Sequence, residues 1–209
     1  MVFTGVKAGF GDRKLDEFAA SASDGGSNKV LFVTDRAASW YAAPGLWERI
    51  CDLVQATCEH EETTELVTLG SSMGGYGAML AARDLPVTRA IAFSPQVTMD
   101  RRILADDRWP DVETVFGQPP IRSTAELVGK GETEFFVAVG GGCAPDKAHV
   151  DLLPEHPKLH RYVLPVAIHN IARSLKEAGH LPDLIAALIE GRTRRVRTAL
   201  QRYAEGVAA

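Results

Sequence analysis

Residues 65–84 constrain this chain more than any other stretch. Glu65-Leu66-Val67-Thr68-Leu69 reads as a short strand, Gly70-Ser71-Ser72-Met73-Gly74 as a sharp turn, and Gly75 to Asp84 as a helix. The pattern is G-x-S-x-G. Alone it is a weak signal, and a Gly-rich turn that lets a helix pack close to a strand would carry it too. In the order strand, turn, helix it has a physical meaning: a serine on a tight bend holds its hydroxyl out at the top of a sheet. Side chains in place of Gly70 and Gly74 would collide with the neighbouring strand and helix. The helix start adds N–H groups and a positive dipole end beside the hydroxyl, with the Met73 N–H as the nearest donor for an oxyanion. Nucleotide-binding readings fail here. No Lys-Ser/Thr pair follows the glycines, G-x-G-x-x-G is absent, and the next strand ends in Phe93-Ser94-Pro95 rather than an acidic residue.

The rest of the chain supplies a sheet for that turn. Residues 1–11 read as a short edge strand and Ser21–Asn28 as a loop. Val30–Val33, apolar throughout, reads as a central parallel strand. Residues 88–93, 134–139 and 159–164 follow as further strands. Helices are expected over about 46–58, 147–153, 170–178 and 181–205. Alternation of this kind predicts an α/β fold, mostly parallel, with helices on both faces. The 209 residues fit one domain. Residues 97–132 break the alternation with a charged stretch from Asp100 to Pro110 and a Pro119-Pro120 turn. They read as one or two short helices at the Ser72 end of the sheet, either a lid or a flanking support.

Ligands of parallel sheets bind at the strand C-terminal edge. The loops there hold Asp35-Arg36-Ala37, Ser72, Asp146 and His169. A serine hydroxyl needs an adjacent base, neutral imidazole suits that task, and a carboxylate fixes the imidazole tautomer. His169 follows the last strand and opens a helix, so it is the base candidate, with helix capping as its alternative. His60, His160 and His180 read as surface or capping residues. Asp146 is the acid candidate, with Asp100 and Asp151 as competitors and an N-cap role as its alternative. Trp40, Tyr41 and Trp109 are candidates for pocket walls, or for buried packing. His149, Asp151, Glu155, His156 and His160 lack a recognised metal-ligand spacing and read as solvated loop residues.

The order Ser72, Asp146, His169, each just after a strand, resembles the α/β-hydrolase superfamily over roughly residues 29–180. The resemblance implies a three-layer fold with reduced N-terminal strands, Ser72 as nucleophile, His169 as base and Asp146 as orienting acid. It implies an oxyanion hole from Met73 and from the Arg36 or Ala37 N–H, where Asp35-Arg36 replaces the family's common His-Gly pair. It implies no cofactor. The expected activity is hydrolysis of a carboxylic ester or thioester on a small or carrier-bound acyl substrate. Acyl transfer with the same residues, or a non-catalytic interaction module on the same scaffold, are the alternatives.

Composition narrows the rest. A net charge of −4 argues against a nucleic-acid binder. The basic run Arg192–Arg197 reads as a solvated helix face. No segment reaches the roughly 18–20 apolar residues of a membrane span. Three cysteines and no visible secretion signal suggest reduced thiols in a cytoplasmic protein.

Overall fold

The computed structural model describes residues 1–6, 18–109 and 111–208. Its centre is a six-stranded sheet built from β1 (Val2–Phe3), β2 (Phe32–Val33), β3 (Leu66–Ser71), β4 (Val87–Phe93), β5 (Glu134–Gly140) and β6 (Leu159–Leu164). The spatial order is β2-β1-β3-β4-β5-β6 and every pairing is parallel. This is an α/β fold.

Burial on both faces explains the continuous apolar runs of the inner strands. Along β5, Phe135, Val137 and Val139 join one core, while Phe136 and Ala138 join the other. Side chains alternate along a strand, so both sets must be apolar when helices cover both faces. The first core is closed by α2 (Leu46–His60), α3 (Met73–Leu80) and α5 (Ala144–Asp151), through residues such as Trp47, Tyr76 and Val150. The second is closed by α6 (Ile171–Glu177), α7 (Leu181–Ile189) and α8 (Thr193–Ala208), through Leu175, Ile185 and Tyr203.

Three sequence expectations change at this point. First, β1 is an interior strand, not an edge: Val2 and Phe3 are 1% and 0% exposed and pair with both β2 and β3. Positions 7–11 of that expectation lie outside the described residues. The edge on that side is β2, so the run Val30–Val33, expected as a central strand, is an edge strand, and its Phe32 and Val33 are only half-buried. Apolar content alone does not distinguish a short edge strand from a central one. Second, the helix expected over 181–205 is two helices. The chain turns at Gly191, whose φ of 67° is a left-handed conformation open to glycine. Third, part of the loop expected over 21–28 is helical, in a short helix over Ala19–Ser23 and a 3₁₀ turn over Asp24–Gly26.

Between β4 and β5 the chain makes the expected excursion, with one short helix, α4 (Val112–Phe116), and a 3₁₀ turn over Thr124–Leu127. Pro110 lies outside the described residues. The excursion is tied down by Tyr76 Oη donating to the Ile121 carbonyl at 3.3 Å and by the Thr124 N–H donating to the Val97 carbonyl at 2.8 Å. Among the described residues, no helix is long and apolar enough to cross a membrane. Cys51, Cys58 and Cys143 are free thiols.

Candidate active site

The β3–α3 junction is built as a strained bend. Ser72 has φ 57° and ψ −122°, a conformation that costs a residue with a side chain of order 1–3 kcal/mol. The bend is held by the Ser72 N–H donating to the Phe93 carbonyl at 2.9 Å and by the Tyr76 N–H returning to the Ser72 carbonyl at 3.0 Å. The flanking glycines permit it. A Cβ on Gly70 would stand 2.2 Å from the Gly74 carbonyl carbon, and one on Gly74 would stand 2.2 Å from the Phe3 carbonyl oxygen. The helix therefore sits directly on the strands, with its first N–H groups beside the Ser72 hydroxyl. Met73 opens the helix, and the first N–H groups of a helix have no intrahelical acceptor.

Two distant loops complete the arrangement. Residues 165–170 lie between β6 and α6, and Asn170 caps α6 by accepting from the Arg173 N–H. Beside them, the Gly141 and Gly142 N–H groups donate to the Leu164 and Val166 carbonyls at 2.8 and 2.9 Å. A Cβ on Gly142 would stand 2.7 Å from the Ala167 Cβ. The run Gly140-Gly141-Gly142 thus lets the Asp146 and His169 segments touch. Asp146 lies in the first turn of α5, whose N-cap is Cys143, so the N-cap alternative for Asp146 does not hold.

Ser72, His169 and Asp146 meet in one hydrogen-bonded chain. His169 Nδ1 is 2.7 Å from Asp146 Oδ2, and His169 Nε2 is 3.0 Å from Ser72 Oγ. With the proton on Nδ1, facing the carboxylate, the Nε2 lone pair faces the hydroxyl. The imidazole is 31% exposed, between a buried Ser72 and an Asp146 side chain that is only 1% exposed. Burial pushes the Asp146 carboxyl upward, but hydrogen bonds from His169 and Arg108 outweigh it and hold it below the ordinary carboxylate range. The competing acids are engaged elsewhere. Asp100 accepts from Arg102 and Arg122, and Asp151 pairs with Lys147 on the surface.

The loop after β2 is organised by Asp35. The buried Asp35 carboxylate accepts from the N–H groups of Ala37, Ser39 and Tyr41 at 3.1, 2.8 and 3.1 Å, and from Ser39 Oγ at 2.8 Å. Ala38, Trp40 and Tyr41 all have positive φ, of 52°, 50° and 63°. The Ala37 N–H is thereby committed, whereas the Arg36 N–H has no acceptor among the described residues.

The three aromatic candidates separate. Tyr41 is 1% exposed and packs in the core against Phe3, Trp47 and Tyr76, so it is a packing residue. Trp40 and Trp109 meet edge to face at 5.3 Å, and the Trp109 ring lies 6.1 Å from that of His169. Trp40 Nε1 donates to Gln96 Oε1 at 3.2 Å, and that same oxygen is 3.4 Å from Ser72 Oγ. Gln96 therefore offers the hydroxyl a second, longer acceptor. Its place directly after β4 was the only sequence signal for it.

His149 overturns its sequence reading as a solvated loop residue. It is on α5, 0% exposed, with Nδ1 accepting the Val97 N–H at 3.2 Å and Nε2 3.2 Å from Asp106 Oδ2. Its neighbours in sequence did not reveal this, because its partners come from the excursion. His160 stacks on Phe136 at 4.5 Å. Among the described residues, no group of three or more His, Cys, Asp or Glu side chains is placed to hold a metal ion.

Comparison with known proteins adds no assignment: no family model and no curated protein matches the chain.

Proposed function

We propose that this chain is a serine hydrolase of the α/β-hydrolase type, cleaving a carboxylic ester or thioester through an acyl-enzyme on Ser72. The single observation that carries the reading is the Ser72–His169–Asp146 chain of hydrogen bonds at 3.0 and 2.7 Å, ending on a serine with φ 57°. A packing serine has no need of an aligned base, a buried acid and a strained bend together.

In the proposed reaction Ser72 Oγ attacks the acyl carbon while its proton passes to His169 Nε2. The carbonyl π electrons move to oxygen, where the N–H groups of Met73 and Arg36 receive the charge. Collapse expels the alcohol or thiol, which takes the proton from His169. Water then repeats the sequence: its proton goes to Nε2, its oxygen bonds to the acyl carbon, and Ser72 Oγ leaves with that proton. Asp146 stays ionised and stabilises the imidazolium at each passage. Trp109, whose ring lies 6.1 Å from that of His169, is the apolar wall for the acyl or leaving group, and the fully buried Trp40 backs it edge to face.

The test is turnover of a panel of chromogenic short-chain esters and thioesters with no added acceptor. Hydrolysis that disappears in Ser72→Ala is the expected result. Turnover that is equal in Ser72→Ala and the parent protein would remove the reading.

A further inference from the structure

Asp146 has two oxygens, and His169 uses one. The other, Oδ1, accepts from Arg108 Nη1 at 2.7 Å. Arg108 arrives from the excursion after β4, and it does not stand alone. Asp106 grips it through Nε at 2.9 and 3.1 Å and through Nη2 at 2.7 Å. Asp106 in turn faces His149 Nε2 at 3.2 Å, and His149 Nδ1 accepts the Val97 N–H at 3.2 Å. A ring nitrogen that accepts a backbone N–H carries no proton, so His149 is the neutral Nε2–H tautomer and donates to Asp106. The side chains of His149, Asp106 and Asp146 are 0%, 8% and 1% exposed, while Arg108 is 29% exposed. The result is one continuous relay from the Val97 backbone to the Ser72 hydroxyl.

We infer that Arg108 is a positioning residue: it fixes the free oxygen of Asp146 and sets the local charge against which His169 takes up a proton. This rests on the serine chemistry proposed above. Asp106 and Asp146 carry two negative charges and Arg108 one positive charge, so the group has a net charge of −1 while His169 is neutral. A proton on His169 brings it to neutrality. Asp106 lies in the same excursion as Arg108, so the contact that reaches another element is the one to Asp146, made on the atom that the imidazole leaves free. The planar guanidinium makes this bridge through three nitrogens at once. The groups facing His169 are Asp146 from α5, Ser72 from the bend and the Trp109 ring from the excursion. Those facing Asp146 are His169, Arg108 and the Cys143 thiol, which lies 3.9 Å from Arg108 Nη1. Asp107 is turned away, paired with Arg101.

The relay gives two substitutions opposite signs. Arg108→Gln leaves two uncompensated carboxylates, which favours the imidazolium. Asp106→Asn leaves Arg108 less neutralised, which disfavours it. The experiment is an NMR titration of the His169 imidazole in the parent protein and both variants, with the signal assigned by its loss in His169→Asn. Arg108→Gln is expected to raise the His169 midpoint, and Asp106→Asn to lower it. Arg108→Lys should leave it near the parent value. An open hollow of about 470 Å³ beside Arg108, lined by Leu104, Pro145 and Ala148, gives the replacements room. Should Arg108→Gln not fold, Asp106→Asn carries the test. An unmoved midpoint, or one that moves opposite to these senses, overturns the inference. The titration uses no substrate, so its outcome is separate from that of the hydrolase reading. With an active parent enzyme, the acid limb of the kcat profile should follow the same two directions.

Discussion

Ser72 is where structure and proposed chemistry meet most tightly, and its backbone can be weighed without any substrate. At φ 57° and ψ −122°, the Cβ of residue 72 costs about 1–3 kcal/mol. Ser72→Ala keeps the Cβ and therefore the strain, losing only the hydroxyl and its 3.0 Å contact with His169. Ser72→Gly removes the Cβ and the strain. Glycine also frees the unfolded chain, which offsets about 0.5–1 kcal/mol of that gain. The Gly variant should therefore exceed the Ala variant by about 0.5–2 kcal/mol. For a protein of this length that corresponds to roughly 1–8 °C in Tm. Urea denaturation of the two variants, with equal slopes, reads the difference directly. Both lack the hydroxyl, so neither contact nor activity differs between them. An Ala variant more stable than the Gly variant by about 0.5–1 kcal/mol, the full unfolded-state difference, would show that residue 72 is not strained, and the case for a hydroxyl held out on a forced bend would lose its physical basis.

Three further outcomes follow from the same coordinates. Asp146→Asn should lower turnover by about 10⁴-fold, because the amide no longer fixes the His169 tautomer, and steady-state kinetics on the active ester measures it. Gly74→Ala places a Cβ 2.2 Å from the Phe3 carbonyl oxygen, backbone against backbone, so it should destabilise by about 1–3 kcal/mol or more in urea titration. Stability should also fall with acid, and the sign is fixed by three aspartates and one histidine. Arg102 and Arg122 hold Asp100 low, while Asp106 is held at about 2 because Arg108 outweighs the upward push of burial. Asp146 is held low too, and burial lowers His149. Each folded pKa lies below its unfolded value, so each contribution is complete above the unfolded pKa and lost as pH falls toward the folded one. Urea midpoints should decline below about pH 6.5 and more steeply between about pH 4 and 2, whereas a flat profile from pH 7 to 3 would contradict this.

The bend and its partners were legible because each is announced locally. Ser72 lies between glycines that only close packing explains, and His169 follows the final strand. The burial of β5 is plain from its apolar run, whereas the same argument placed Val30–Val33 at the centre of a sheet whose edge it forms. What was hidden is what depends on distant contacts. The place of β1 inside the sheet rests on pairing with β2 and β3, and two residues carry no sign of it. Trp40 and Tyr41 read equally as pocket walls or as packing, and only the folded loop, with positive φ at both positions, shows that both side chains are buried. Asp106, Arg108 and His149 are separated by up to 43 positions, and their shared network appears only once the excursion is folded back on α5.

The central claim is that Ser72 is a nucleophile activated by His169. Intact-mass and peptide-mapping spectrometry after exposure to a fluorophosphonate tests it most directly. A single adduct on Ser72, absent in Ser72→Ala and formed far more slowly in His169→Ala, is the expected result. An unmodified protein, an adduct on another residue, or normal labelling without the imidazole would contradict it.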